Sequence, residues 1–314
     1  MLAGSGSSAA APLLRAWSEE FNRHHPNTHV GYLASSTTEG IDEITRGRGD
    51  FAVGETSLTT EQWKTARGRL IQIPVAVGSV VPVYNVPRAG ELRFTGDLLA
   101  QIYMGNVSNW SDQRIARLNP GMLLPDLAIA VLQRPETSGS RQIFTKFLLK
   151  TSPAYRLWSA NGGQPGGLPQ LEAERSQGLA EKVAMTPGAI GYLERGIASH
   201  YGLTYGSVRN ASGKFAKAST ASVTAACLAM ENTIVKDGPG SLVNAPGESS
   251  CPLTHFVWIY VPISDVPVTR HKAFLEFLHW CLQQGQMLTA GYGYLPLPSS
   301  AATKAERELR SIFP

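Results

Sequence analysis

The sequence predicts an α/β protein built as two lobes, and three observations carry that reading. The chain has 314 residues, more than one hydrophobic core usually organises. The stretch from Ala128 to Leu149 reads as a buried strand, a polar turn and a helix in succession. Two further apolar segments, Leu70 to Tyr84 and Phe256 to Pro262, read as core strands able to cross between lobes.

The stretch around residue 134 organises the rest. Its first part, AIAVLQ, is mostly apolar with β-branched members, the mark of a buried strand. Its last part, RQIFTKFLL, sets Ile143, Phe144, Phe147 and Leu148 on one helix face. The turn between them, RPETSGS, holds Arg134, Glu136, Ser138, Gly139 and Ser140. A helix starting there presents unpaired N–H groups and a positive dipole end. Gly139 would let a ligand approach the backbone, and Arg134 can grip two oxygens at once. Everything in the turn except Glu136 favours a small oxyanion. The plainer alternative is that Thr137 or Ser138 simply caps the helix.

Taken in order, Gly4 to Ala9 reads as a glycine-serine turn, and Pro12 suits the first turn of a helix. Leu13, Leu14, Trp17 and Phe21 give that helix an apolar stripe ending near Asn22 to Pro26. Thr28 to Ser35 reads as a strand, followed by TTEG and the helix start IDEITRGRG. Phe51 to Val53 is a short strand ending at Gly54-Glu55-Thr56. Polar turns thus recur at strand ends or helix starts, where open α/β sheets bind ligands. Leu70 to Tyr84 is interrupted by Pro74, Gly78 and Pro82, and a helix is expected from Gly96 to Met104. Asn161 to Pro169 is rich in turn residues, Gln177 to Val183 reads as a short helix, and Pro187-Gly188 leads into the strand AIGYLE. Residues 199 to 255 look loose and insertion-like. His271 to Gln284 reads as a helix, and the amphipathic tail Thr303 to Ile312 is expected to pack on the first lobe.

Composition narrows the class. Hydrophobic residues make up 43% and charged residues 17%, which describes a globular chain with a real core. The sequence contains no apolar run long enough to span a membrane. The formal charge is +4 and the pI about 9.0. The charges are scattered, so no nucleic-acid partner is expected, while a mild positive balance suits a small anion. The start, MLAGSGSSAAAP, carries no secretory signal, so an export signal is expected to have been removed ahead of Met1. Cys227, Cys251 and Cys281 lack metal spacing. Cys281 reads as a buried free thiol. Cys227 and Cys251 flank a Gly/Pro/Ser-rich loop and could pair, which would indicate an oxidising compartment.

Several stretches together resemble one family, the periplasmic phosphate-binding proteins of ABC phosphate importers. They are GSGSSAAAP before an aromatic helix, DFAVGE, ELRFTGDLLAQIYMGNVSNWSDQRIARLNPGMLLP, RPETSGSRQIFTKFL, TPGAIGYLE and CPLTHFVWIYV. They follow the family's order and cover most of the chain. The resemblance implies a class II periplasmic-binding fold: two α/β lobes, two crossing strands and a ligand cleft between the lobes. Lobe I would comprise residues 1–82 and 257–314, and lobe II residues 83–256.

The same resemblance implies a ligand set. Ser8 falls where a threonine hydroxyl touches phosphate, and Ala9 where a backbone amide does. Thr37 falls at a serine, Glu55 at an aspartate, and Arg134 at the ligand arginine. Glu136 again replaces an aspartate, and Ser138, Gly139 and Ser140 match a Ser-Gly-Thr run. Glu39 stands where glycine is usual, close to Thr37, and reads either as an exposed carboxylate in the first turn of a helix or as part of a more acidic pocket that shifts the anion. Glu55 is the expected acceptor for the P–OH of phosphate, and Glu136 the expected partner of Arg134.

The implied function is capture of inorganic phosphate by a monomeric periplasmic or extracellular receptor, and delivery to the membrane permease subunits of an ABC importer. No cofactor, metal or catalytic residue is expected. The competing readings are a receptor for arsenate, sulfate or molybdate, a phosphoesterase using Ser138 or Ser140, and an adhesion or signalling protein that has lost the ligand. An esterase needs a base beside the serine and usually a metal. None of the seven histidines falls in the ligand turns.

Overall fold

The computed structural model describes residues 1–66, 69–163, 170–236, 241–263 and 268–312. The expected turn at residues 161–169 falls partly outside these, as do residues 237–240 of the segment read as loose.

The first strand, β1 (Leu2–Ser7), lies where a turn was expected. It pairs in parallel with β2 (Val30–Ser35) on one side and β3 (Phe51–Gly54) on the other. Glycine and serine there serve close packing rather than turning. At Gly6, with φ of 130°, a Cβ would stand 2.2 Å from the carbonyl oxygen of Val53. Helix α1 (Ala11–His24) follows with Pro12 in its first turn, and buries Leu13, Leu14, Trp17 and Phe21. Helix α2 (Thr37–Thr45) begins four residues earlier than the sequence reading. Ser36 and Glu39 close a capping box, so TTEG forms its first turn, and Glu39 is the exposed helix-start carboxylate expected. Helix α3 (Thr60–Ala66) follows.

Strand β4 (Leu70–Tyr84) runs unbroken through both prolines. Its first part, to Ser79, pairs with β12 (Thr254–Pro262). From Val80 onward it pairs with β8 (Ala189–Glu194). This single strand joins the two halves of one sheet, whose order is β2-β1-β3-β12-β4-β8, then a strand at Ala130–Gln133 and one at Gln170–Glu172, with β9 (Thr204–Tyr205) also paired to β4. Strands β6 (Ala130–Gln133) and β7 (Gln170–Glu172) complete the second half in parallel.

The helices of the second half are α4 (Gly96–Tyr103), α5 (Gln113–Leu118), α6 (Gly139–Thr151), α7 (Pro153–Ala160), α8 (Ser176–Met185) and α9 (Arg195–His200). Phe144, Phe147 and Leu148 of α6 are buried, as the helical stripe required.

The described parts of residues 199–255 hold more regular structure than expected. They hold β10 (Ser207–Arg209) and β11 (Phe215–Ala216), which form a small sheet with β5 (Arg93–Phe94), and the helix α10 (Thr220–Lys236). Helix α11 (Val268–Leu282), a 3₁₀ segment η1 (Gln284–Tyr292) and α12 (Ser299–Ile312) end the chain, α12 packing on β4, α10 and α11.

Cys227 and Cys251 do not form the expected bridge; both are buried free thiols, as is Cys281. They pack as apolar groups in the core, and burial and the nearby Cys251 push the Cys227 thiol up to about 12.

Candidate functional site

The carboxyl ends of β1, β2, β3, β6 and β8 carry the site. The residues that follow or end those strands are Ser7 and Ser8, Thr37, Glu55, Arg134 and Glu194. Ser8, Thr37, Glu55, Arg134 and Glu194 each have a relative exposure of 2% or less. The helix starts of α1, α2 and α6 face the same place, as strand–turn–helix units require.

Arg134 is the cation of this group. Its Nη1 donates to Ser176 Oγ at 2.6 Å, and its Nη2 donates to Ser8 Oγ at 3.2 Å and to the Glu174 carbonyl at 2.8 Å. Its backbone N–H donates to the Tyr192 hydroxyl at 3.1 Å. Its Nε is buried without a partner among the described residues. Burial lowers its pKa, while Glu194, Tyr192 and Glu55 act the other way.

Two buried carboxylates oppose this cation. Glu55 accepts from the Ser7 hydroxyl and, at 2.8 Å, from the Thr37 hydroxyl. Glu194 accepts from the Ser140 hydroxyl at 2.7 Å through Oε1, and Oε2 has no partner among the described residues. Burial raises both carboxyls. The hydrogen bonds from Ser7 and Thr37 act against burial at Glu55. Burial first and the Glu55 charge second push Glu194 up to about 7.

The expected ligand residues meet here, with three differences from the reading above. Glu136 does not pair with Arg134. A turn closed by the Ser138 N–H donating to the Pro135 carbonyl, at 2.9 Å, carries its side chain outward. It is 88% exposed there, 3.4 Å from Arg141. The backbone N–H of Ala9 donates to Ser7 Oγ at 3.1 Å, as does that of Ala10, so Ser7 takes the place of a helix cap. Gly139 is approached closely, but by the Glu55 carboxylate. Ser138 occupies the N-cap position of α6 yet makes no side-chain cap bond, so capping does not account for its hydroxyl.

Sequence reasoning missed Ser7, Ser176, Glu194 and Gln142. Glu194 ends the strand AIGYLE, so the rule that ligand groups gather at strand ends could have found it. Gln142 ties the two halves of the chain together. Its Nε2 donates to Thr38 Oγ1 at 3.0 Å, and its Oε1 accepts from the Thr56 hydroxyl at 2.8 Å. The Thr38 N–H donates to the Thr137 carbonyl at 3.1 Å beside it.

A guanidinium, several hydroxyls and two carboxylates, enclosed where strand ends converge, define a binding protein for a small polar anion. A domain model described as the PBP superfamily domain matches residues 1–283. The phosphate-binding protein PstS of Xylella fastidiosa strain Temecula1 is 32% identical over 317 residues, covering 99% of this chain and 85% of its own length. The chain therefore belongs to the PBP superfamily and, within it, to the family of the phosphate-binding protein PstS. Among solved structures, the fold is similar to a putative phosphate ABC transporter substrate-binding protein with bound phosphate from Clostridium perfringens. That match has a TM-score of 0.68 and 15% identity, and covers 95% of this chain and 99% of the other. A phosphate-binding protein from Stenotrophomonas maltophilia matches with a TM-score of 0.74 and 16% identity, over 98% and 93% of the two chains.

Proposed function

We propose that this chain is an extracytoplasmic receptor that captures inorganic phosphate and hands it to the membrane permease subunits of an ABC importer. Its work is binding and release, without turnover. The single observation that carries the reading is Arg134, a buried guanidinium set among hydroxyl donors and carboxylate acceptors. Phosphate at neutral pH carries negative oxygens and at least one P–OH, so its site needs donors, a fixed cation and an acceptor together. The relatives named as phosphate-binding proteins support the same ligand.

Two lobes, residues 1–82 with 257–314 and residues 83–256, would close on the anion, with β4 and β12 as the crossing strands. Ser8, Thr37, Glu55, Arg134, Ser138, Gly139 and Ser140 line the proposed site, Ala9 stands at its edge, and Glu194 joins it. Glu136 stands outside. A periplasmic or extracellular location and a monomeric state go with this role. No helix among the described residues is long and apolar enough to cross a membrane.

The test is identification of the anion released when the purified protein is denatured, together with titration of phosphate into the stripped protein. Tight, stoichiometric phosphate binding with no hydrolysis of a chromogenic phosphate ester is the expected result. Ester hydrolysis lost in Ser138→Ala or Ser140→Ala would overturn it in favour of an esterase.

A further inference from the structure

Glu194 closes β8, where its backbone pairs with Val80, the residue at which β4 changes partners. Its side chain is 2% exposed. One oxygen accepts the Ser140 hydrogen and the other has no partner among the described residues.

A serine hydroxyl has one hydrogen. While Glu194 is ionised, that hydrogen belongs to the carboxylate, and Ser140 can present only lone pairs to an incoming anion. Two negative oxygens and a lone pair would then face the ligand. Once Glu194 holds a proton, its own O–H can donate to Ser140 Oγ. The Ser140 hydrogen is then free to point at the anion, and one negative charge has left the site.

The charged and titratable groups around Glu194 are Glu55 beyond β3, Arg134 beyond β6, and Tyr294 between η1 and α12. Arg195, next in the chain, turns its guanidinium away to the Gly293 carbonyl at 2.9 Å. Of these, Arg134 is already engaged by Ser176, Ser8 and the Glu174 carbonyl. Glu55 has two hydroxyl donors and Glu194 has one. Glu194 is thus the carboxylate whose charge has fewer hydrogen-bond donors. Burial and Glu55 keep its proton affinity within reach of neutral pH.

We propose that Glu194 is a positioning residue that takes up one proton as the anion enters, turning Ser140 from an acceptor into a donor, so that anion capture is coupled to protonation. The proposal rests on the phosphate reading above. The proton comes from solvent and forms an O–H bond on the Glu194 carboxylate; no bond in the anion breaks and nothing is oxidised or reduced. Above neutral pH, binding then weakens by about tenfold per pH unit, the slope for one linked proton.

The experiment is titration calorimetry with inorganic phosphate at about pH 8, in buffers of different ionisation heat. Free phosphate is mostly dianionic there; a proton taken up by the anion itself would still be taken up in Glu194→Gln, whereas one taken up by Glu194 would not. Wild type should take up close to one proton per anion. Glu194→Gln, whose amide donates to Ser140 at every pH, should take up almost none and bind with nearly constant affinity from about pH 7 to 9. Phosphate binding by wild type without proton uptake overturns the proposal alone, as does equal uptake by both proteins. Failure of wild type to bind phosphate overturns the functional reading and the proposal with it. Infrared difference spectroscopy of wild type gives a readout that needs no variant. A protonated-carboxyl band appearing on phosphate addition supports the proposal, and no such band refutes it.

Discussion

Gly139 lies directly against Glu55: a Cβ at residue 139 would stand 1.9 Å from Glu55 Oε2 and 2.6 Å from the Thr37 hydroxyl. The start of α6 thereby touches the end of β3 and the start of α2, and the carboxylate is fixed between them. Gly139→Ala should push Glu55 off Thr37 and separate these elements. An overpacked buried contact costs about 1–3 kcal/mol. Denaturant unfolding should show that loss, and phosphate titration a larger one, because the displaced carboxylate belongs to the proposed site.

Arg134 donates to three oxygens in a fixed plane. A lysine ammonium cannot reproduce that fork. Arg134→Lys should therefore weaken phosphate markedly, and Arg134→Ala should cost about 2–5 kcal/mol of binding. Calorimetric titration of both variants checks the order wild type, lysine, alanine.

Stability should depend on pH through Glu194. Its carboxyl is held up to about 7 against an ordinary 4.5. A raised carboxyl binds its proton more tightly folded than unfolded. The stability it contributes is full below about 4.5 and is lost as pH rises through about 7. The difference is worth about 3 kcal/mol. Glu194→Gln keeps the neutral form throughout. Its stability relative to phosphate-free wild type should therefore rise by about that amount between pH 5 and 8, measured by denaturant unfolding.

Glu136 should be nearly silent. It is 88% exposed and pairs with Arg141 at the surface, and such pairs contribute little. Glu136→Gln should leave phosphate affinity within about twofold of wild type. A large loss in the same titration would return Glu136 to the site.

Much of this arrangement was legible in the chain. Thr37, Glu55 and Arg134 stand just past apolar runs and Ser140 at a helix start, and such junctions are visible in a local pattern. The β1 strand was not, because its LAGSGS composition is that of a turn; only the Val53 carbonyl and its neighbours, some 47 residues away, make glycine fit there. The small sheet of β5, β10 and β11 joins residues 93–94 to residues 207–216, and strands so short carry no signal without their partner. The outward course of Glu136 depends on the turn at Pro135. Glu194 sits at the end of a strand that reads as core, and its role appears only when Ser140 is placed beside it. Ser7 was hidden similarly, since its hydroxyl serves Glu55, 48 residues on.

The central claim is that a buried carboxylate, Glu55, reads the hydrogen of a protonated oxyanion held by Arg134. Sulfate shares the shape and charge of the phosphate dianion but has no proton at neutral pH, so it would set a bare oxygen against Glu55. Sites that depend on one specific polar hydrogen reject ligands lacking it by about 10⁴ or more. Arsenate keeps the hydrogen and should compete with phosphate. The deciding measurement is titration of phosphate and sulfate, at about pH 7 to 8, into wild type and Glu55→Gln. Wild type should bind phosphate at least about 10⁴-fold more tightly than sulfate, and Glu55→Gln should weaken phosphate and narrow that gap. Equal binding of the two anions by wild type, or an unchanged gap in Glu55→Gln, would contradict the account.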